Sequence, residues 1–326
     1  MAKIVLGLAS SHSTMAHAPS SLWDSHVRGF DMNQSDLVGL DGRLYDYASL
    51  LKAADPSIGE KARQEHFPER HARIQVAIAK LAETFAAVAP DIAVIVGEDQ
   101  REVFQDENMP ALLVYWGNEI PNIPRKTPIT VPPLLQESLG SAAWAYGTEE
   151  HIYPVNSDLG LHLIHSLVEE EFDVSHARRI TRPCGIGHAF AFVYHRIMKG
   201  KVVPHVPVIL NTYYPPNQMT PKRSYKVGQV IRRAIESWPS DLRVAVIASG
   251  GLSHFVVNEE LDSQVIEAMQ KHDAAALCAI PRKHMNSGSS EIMNWIAAAS
   301  ALDGLEMKLV DYVPCYRSPA GTGVGM

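Results

Sequence analysis

Cysteine is scarce in this 326-residue sequence: Cys184, Cys278 and Cys315 are odd in number and far apart. A disulfide framework is therefore not the folding device, and the thiols are expected to be free in a reducing compartment. Long hydrophobic runs are missing as well. Residues 4–9 (IVLGLA) are too short for a signal-peptide core. No stretch reaches the ~20 apolar residues of a membrane helix, so no membrane partner is expected and the cytoplasm is the expected location. Nor is there a basic tract. Lys+Arg number 29 against 36 Asp+Glu, a net charge of −7, which makes a nucleic-acid backbone a poor partner. No GxGxxG opens a helix after the first strand, and no GxxxxGK[ST] is present; GTGVG at 321–325 has no helix after it. GxSxG, HExxH and HxxxH are absent too. A serine hydrolase of the usual kind is disfavoured, and any metal site must be assembled from residues distant in sequence.

What is present is a chain that can build a large core. Hydrophobic residues make up 46% of it, which rules out a disordered or collagen-like polymer. Continuous apolar runs at 3–9, 92–97, 111–116, 206–214 and 242–249 predict buried strands, and the chain closes with MKLVDYV at 307–313 and a Gly-rich tail. Between them, Ile74, Ile78, Leu81, Phe85 and Val88 mark one helix face. Further helices are predicted over about 158–170, capped by Asp158, after Pro215–Pro216, over about 260–275 and over about 290–301. Residues 117–135 carry five prolines and should be irregular. Alternating strands and helices predict an α/β fold, a single domain around a central, mostly parallel or mixed sheet covered on both faces. Residues 18–60 are rich in Gly, Pro, Asp and Ser, with one short helix expected near 47–54. A structureless insertion of that length suggests a lid or a binding loop.

In an open α/β sheet, ligands gather beyond the carboxyl ends of the strands. After the first strand come His12 and His17; after 92–97 come Glu98, Asp99, Gln100 and Arg101. After 242–249 come Gly250, Gly251, Ser253 and His254, then Glu259, Glu260 and Asp262. Three strand ends thus converge on histidine and carboxylate chemistry. A strand-end histidine can simply bond to backbone, and Glu260 opens a helix, where the dipole favours a carboxylate in any case. Two histidines and a carboxylate with open positions would hold non-haem Fe(II).

IVLGLASSHS at 4–13, YPP at 214–216, SGGLSH at 249–254 followed by NEELD, and SGSSEIMNW at 287–295 resemble the class III, LigB-type extradiol ring-cleavage dioxygenases, in particular the catalytic subunit of protocatechuate 4,5-dioxygenase. The resemblance runs in ordered blocks over nearly the whole chain. It implies Fe(II), O₂ and a catechol- or gallate-like aromatic substrate. It assigns His12 and Glu260 to the metal, His254 to acid/base catalysis and His188, in CGIGHAF, to the active site. The position of the second metal histidine falls on Gln100, in GEDQRE.

An amide oxygen is a weaker ligand for Fe(II) than an imidazole. Gln100 could still ligate, another histidine such as His17 could replace it, or the scaffold could perform non-oxidative C–C cleavage, decarboxylation or hydrolysis. For an aromatic acid, Arg28, Arg101 and Arg182 are candidate anchors, each equally compatible with ordinary surface charge. The family includes two-subunit enzymes and single-chain homodimers; the resemblance implies that the insertion at about 18–72 supplies the lid or dimer contact that a small partner subunit provides elsewhere, and a homodimer is expected for this chain.

Overall fold

The computed structural model describes residues 1–124, 146–182 and 185–326. Cys184 and the proline-rich residues 125–135 lie outside the described residues; Cys278 and Cys315 are free thiols, as expected. Six strands form the main sheet: β1 (Lys3–Ser10), β2 (Ile92–Glu98), β3 (Leu112–Tyr115), β4 (Ser175–Ala177), β5 (His205–Leu210) and β6 (Arg243–Ser249). Their order is β1-β6-β2-β5-β3-β4. The first four are mutually parallel, β3 runs against β5, and β4 is parallel to β3. The mostly parallel sheet expected from the continuous apolar runs is therefore present.

Those runs are apolar at every position because both faces are covered. In β2, Ile92, Val94 and Val96 join one core, while Ala93 and Ile95 join the other. The first core is roofed by α2 (Ser157–Glu169), α4 (Pro221–Ser237), α5 (Glu259–Gln270) and α6 (Ile292–Ala301). The second is covered by α1 (Phe67–Val88) and α3 (His188–Phe192), which continues as a π-helical turn to Ile197. Caps set the helix starts. Thr220 accepts from the Arg223 amide with Pro221 in the first turn, and Asn258 accepts from Leu261. The cap of α2 is Asn156, accepting from Leu159; Asp158, expected in that role, sits in the first turn instead. Among the described residues no helix is long and apolar enough to cross a membrane.

In the C-terminal region, residues 307–311 carry no regular element, and a strand covers Tyr312–Tyr316 (β8). The glycine-rich tail is a buried strand, Gly321–Gly325 (β9), paired antiparallel with β8 and with His254–Phe255 (β7). Glycine's lack of a side chain is what lets so crowded a strand fit: a Cβ at Gly323 would stand 2.1 Å from Asp262 Oδ2.

The region predicted as an insertion is packed down rather than loose. Trp23 is fully buried against Phe67, with ring centroids 5.4 Å apart. Leu37 and Leu50 pack on Val256 and Ala320. Asp31 receives Arg317 through two bonds of 2.6 and 2.8 Å, both residues being buried. Loss of one member of such a pair leaves an uncompensated buried charge, at a cost of about 3–5 kcal/mol.

One core group ties stability to pH. His205, fully buried at the start of β5, accepts from Tyr194 Oη at Nε2 (2.6 Å) and donates from Nδ1 to the Val203 carbonyl (3.2 Å). Burial pushes the imidazole from its usual 6.5 down to about 4. A histidine held neutral takes up a proton only on unfolding, so stability is full above pH 6.5 and falls as the pH drops towards 4. The loss across that window should be on the order of 3 kcal/mol. Denaturant melts of His205→Gln should show that much less dependence on pH; an unchanged slope would exclude His205 as its source.

Candidate active site

The carboxyl ends of β1, β6, β2 and β5 lie side by side, and the chain continues from each into one cavity. β1 delivers His12, β6 leads to the Gly250–Gly251 turn and His254, and β2 ends in Glu98 with Gln100 just beyond. His188 enters at the start of α3, and Glu291 from the turn before α6.

The hydrogen bonds fix the orientation of each imidazole. Ser249 Oγ donates its one proton to the Ala189 carbonyl (2.6 Å), so it accepts from His12 Nδ1–H (3.0 Å). His254 Nδ1 lies 2.7 Å from the Leu252 carbonyl and must donate to it. His188 Nδ1 lies 2.8 Å from Glu102 Oε2. All three rings therefore use Nδ1 outside the cavity and turn Nε2 inward. There His12 Nε2 is 3.1 Å from His188 Nε2, 3.2 Å from Glu98 Oε1 and 3.4 Å from Glu291 Oε2. His254 Nε2 is 3.2 Å from Glu291 Oε1 and 3.5 Å from Tyr213 Oη. Gly251 allows the His254 ring to lie this close to the chain: a Cβ there would meet the ring at 2.2 Å.

Glu98 and Glu291 are both buried. Burial, and then the neighbouring charge of Glu291, raise the Glu98 carboxyl above its usual range. Burial opposes ionisation of Glu291 too, but His254, His12 and the Gly251 amide outweigh it and hold that carboxyl below the usual range. His188 is pushed up to about 9: burial works against the charge, and Glu102, Glu98 and Glu291 overcome it. The cavity thus favours positive charge. Glu98 Oε2 accepts from Asn294 (2.6 Å), whereas buried Oε1 has no hydrogen-bond donor among the described residues. A carboxylate oxygen and inward-facing imidazole nitrogens make a donor set suited to a first-row metal. His12, Glu98 and His188 bring one ligand atom each within 4.8 Å of the others.

Of the residues expected at the site, His12, His188, His254 and Gln100 come together. Gln100 shares the cavity, but its Nε2 donates to Glu291 Oε1 at 3.0 Å. Glu260 does not join them. It is exposed in the first turn of α5, where Gln264 contacts it at 3.5 Å. Helical periodicity turns Leu261, Asp262 and Val265 inward and Glu260 outward. The buried acid of that helix, Asp262, accepts from Ser253 and Tyr312 and braces the loop ahead of His254. The carboxylates that reach the histidines are Glu98 and Glu291, the latter in the SGSSEIMNW block, whose role the motif alone did not disclose. Its signal was an acid directly ahead of the nearly all-apolar run IMNWIAAA. Glu98 was visible as a strand-end acid.

His17 is committed elsewhere: Arg196 donates to its Nδ1 (3.1 Å), and burial drives its pKa well below 6.5. Arg28 and Arg182 pair with Asp24 and Glu107. Arg101 pairs with Asp106 and lies 4.5 Å from the ring centroid of Tyr214.

Comparison with known proteins adds a separate finding. A family model described as the catalytic LigB subunit of aromatic ring-opening dioxygenase matches residues 71–324. Gallate dioxygenase of Pseudomonas putida is 34% identical over 138 residues, 38% of each chain. The 2,3-dihydroxyphenylpropionate/2,3-dihydroxicinnamic acid 1,2-dioxygenases of Cupriavidus necator and Comamonas testosteroni are 30% and 27% identical over 119 and 189 residues. These alignments span 36% and 49% of those two relatives, and 36% and 55% of this chain.

The different places of Glu291 and Glu260 can be read directly. Glu291→Gln removes the charge that favours protonated His254 and should lower its pKa, whereas Glu260→Gln should leave it unchanged. Nitrogen-15 NMR of the His254 ring across pH distinguishes the two variants; equal responses would contradict the geometry.

Proposed function

Because the chain belongs to the family of catalytic LigB subunits of aromatic ring-opening dioxygenases, we propose that it opens the ring of a catechol- or gallate-like substrate with O₂ at a non-haem Fe(II) centre. The observation that supports this most directly is the meeting of the His12, His188 and His254 Nε2 atoms with Glu98 and Glu291 beyond the strand ends. His12, His188 and Glu98 would hold the metal, with Glu291 beside His12. When bound, the metal supplies a Lewis acid for two adjacent phenolic oxygens and the redox capacity that ring opening with O₂ requires.

The protein's own groups do the rest. His254, with Nδ1–H held by Leu252 and Nε2 facing the cavity, takes a phenolic proton at Nε2 and later returns one. Glu291 stabilises the imidazolium formed in between, and Gln100 donates to the same Glu291 oxygen. Tyr213 Oη borders His254 Nε2. The segment at 18–72 acts as a cover: Asp36 accepts from Ser287 (3.2 Å), while Leu37 and Leu50 close over Val256, next to β7. It supplies within one chain what a small partner subunit supplies elsewhere in the family.

Protein loaded anaerobically with Fe(II) should bind about one iron per chain and consume O₂ with gallate or a substituted catechol. His12→Ala should lose the metal. His254→Ala should keep it and lose ~10²–10⁴-fold in turnover. Equal conversion of phenolic substrates under strict anaerobiosis would replace this reading with non-oxidative cleavage, which the amide at Gln100 in place of an imidazole would then explain.

A further inference from the structure

At the position where the family resemblance places a second metal histidine, this chain has Gln100, and Gln100 turns its Nε2 donor to Glu291. A different imidazole faces the cavity from the other side. His188 Nε2 lies 3.1 Å from His12 Nε2 and 3.7 Å from Glu98 Oε1. We propose that Glu102 is the positioning residue that makes His188 a metal ligand in compensation for Gln100, and that Tyr146 holds Glu102 in place. The inference deepens the metal-centre reading above and rests on it.

The contacts are specific. Glu102 is buried beneath α3, and its Oε2 is 2.8 Å from His188 Nδ1. The same carboxylate accepts the His188 backbone amide at 3.1 Å. Tyr146, almost fully buried, donates its hydroxyl to the other oxygen, Oε1. Ring and backbone of His188 are thus fastened to one carboxylate, which fixes both the direction of the ring and the nitrogen that carries the proton. Nδ1–H belongs to Glu102; the Nε2 lone pair faces His12 and Glu98. Gly187 is part of the device, since a Cβ at that position would stand 2.6 Å from Glu102 Oε2 and force the carboxylate away. A carboxylate on the far nitrogen of a ligating imidazole orients it and raises its basicity, and loss of such a partner weakens metal binding about 10–100-fold.

Asp99, the other acid in this loop, has a different role. Its two oxygens accept the amides of Val103 and Phe104 (2.9 and 3.0 Å) and so shape the turn that carries Glu102. Glu102 is the only one of the two with a bond to a cavity histidine among the described residues.

The test is a double-mutant cycle on affinity for Co(II), measured under argon by competition with a chromophoric chelator. His188→Ala and Glu102→Leu should each weaken binding about 10–100-fold, and Glu102→Leu should add nothing once His188 is gone. Glu102→Gln, whose amide oxygen still accepts from Nδ1–H, should recover most of the affinity. Tyr146→Phe should lose less than Glu102→Leu. Additive losses, or a lowered melting temperature with unchanged affinity, would overturn the inference. If Glu102→Leu does not fold, Tyr146→Phe and Glu102→Gln carry the same cycle with His188→Ala. Wild-type protein that binds no Co(II) would count against the metal-centre reading alone. The positioning is then decided on metal-free protein by the His188 Nδ1 proton in proton–nitrogen-15 spectra. A downfield, slowly exchanging signal that disappears in Glu102→Leu upholds it, and one indifferent to that change refutes it.

Discussion

Two carboxylates buried side by side need positive charge between or around them, and the site is organised about that need. Taking each from water costs several kcal/mol, and their mutual repulsion adds to it. Among the described residues, the ion pairs of Glu98 and Glu291 are with His12, His188 and His254 alone. Imidazoles answer the need in two ways. Protonated, they are cations; neutral, they offer lone pairs to a metal that supplies the charge instead. The carboxylates that raise the basicity of His188 make, by the same field, a pocket that attracts a divalent ion.

The scaffold's contribution is to keep those rings from turning. Ser249 is pinned by the Ala189 carbonyl and so can only accept from His12; Leu252 offers His254 a carbonyl; Glu102 does the same for His188 as a carboxylate. Each partner lies on a strand end, a tight turn or a buried loop, so ring orientation follows from backbone geometry. Asn294 extends this to the acids, joining Glu98 at the end of β2 to α6, one turn beyond Glu291.

Much of this was legible in the residues. The parallel strands were visible because burial on both faces leaves continuous apolar runs, and strand ends then indicated where His12, Gln100 and His254 would meet. What could not be read was direction. Glu260 and Glu291 both stand close to helix starts in motifs of similar promise, and only the packed helices show that one faces solvent and the other histidine. The β9 strand was hidden for the opposite reason. Glycine carries no period, and Gly321–Gly325 is a strand because β7 and β8 supply its hydrogen bonds, not because its composition favours one. Glu102 was concealed in a charged stretch, where an acid ordinarily faces water.

The histidines and carboxylates about the cavity are residues 12, 98, 188, 254 and 291, no two of them closer than 37 positions in the chain, so no short fragment holds two of them in register. An unfolded or half-folded chain offers scattered single ligands, and only the completed sheet offers the set. An ion that prefers the set binds the native state almost exclusively and raises its stability by mass action, by about 2.7 kcal/mol at a free concentration one hundred times its dissociation constant. Metal supply would then govern the lifetime of the protein as well as its chemistry: chains that fold where the ion is scarce would populate open forms more often and meet proteases sooner.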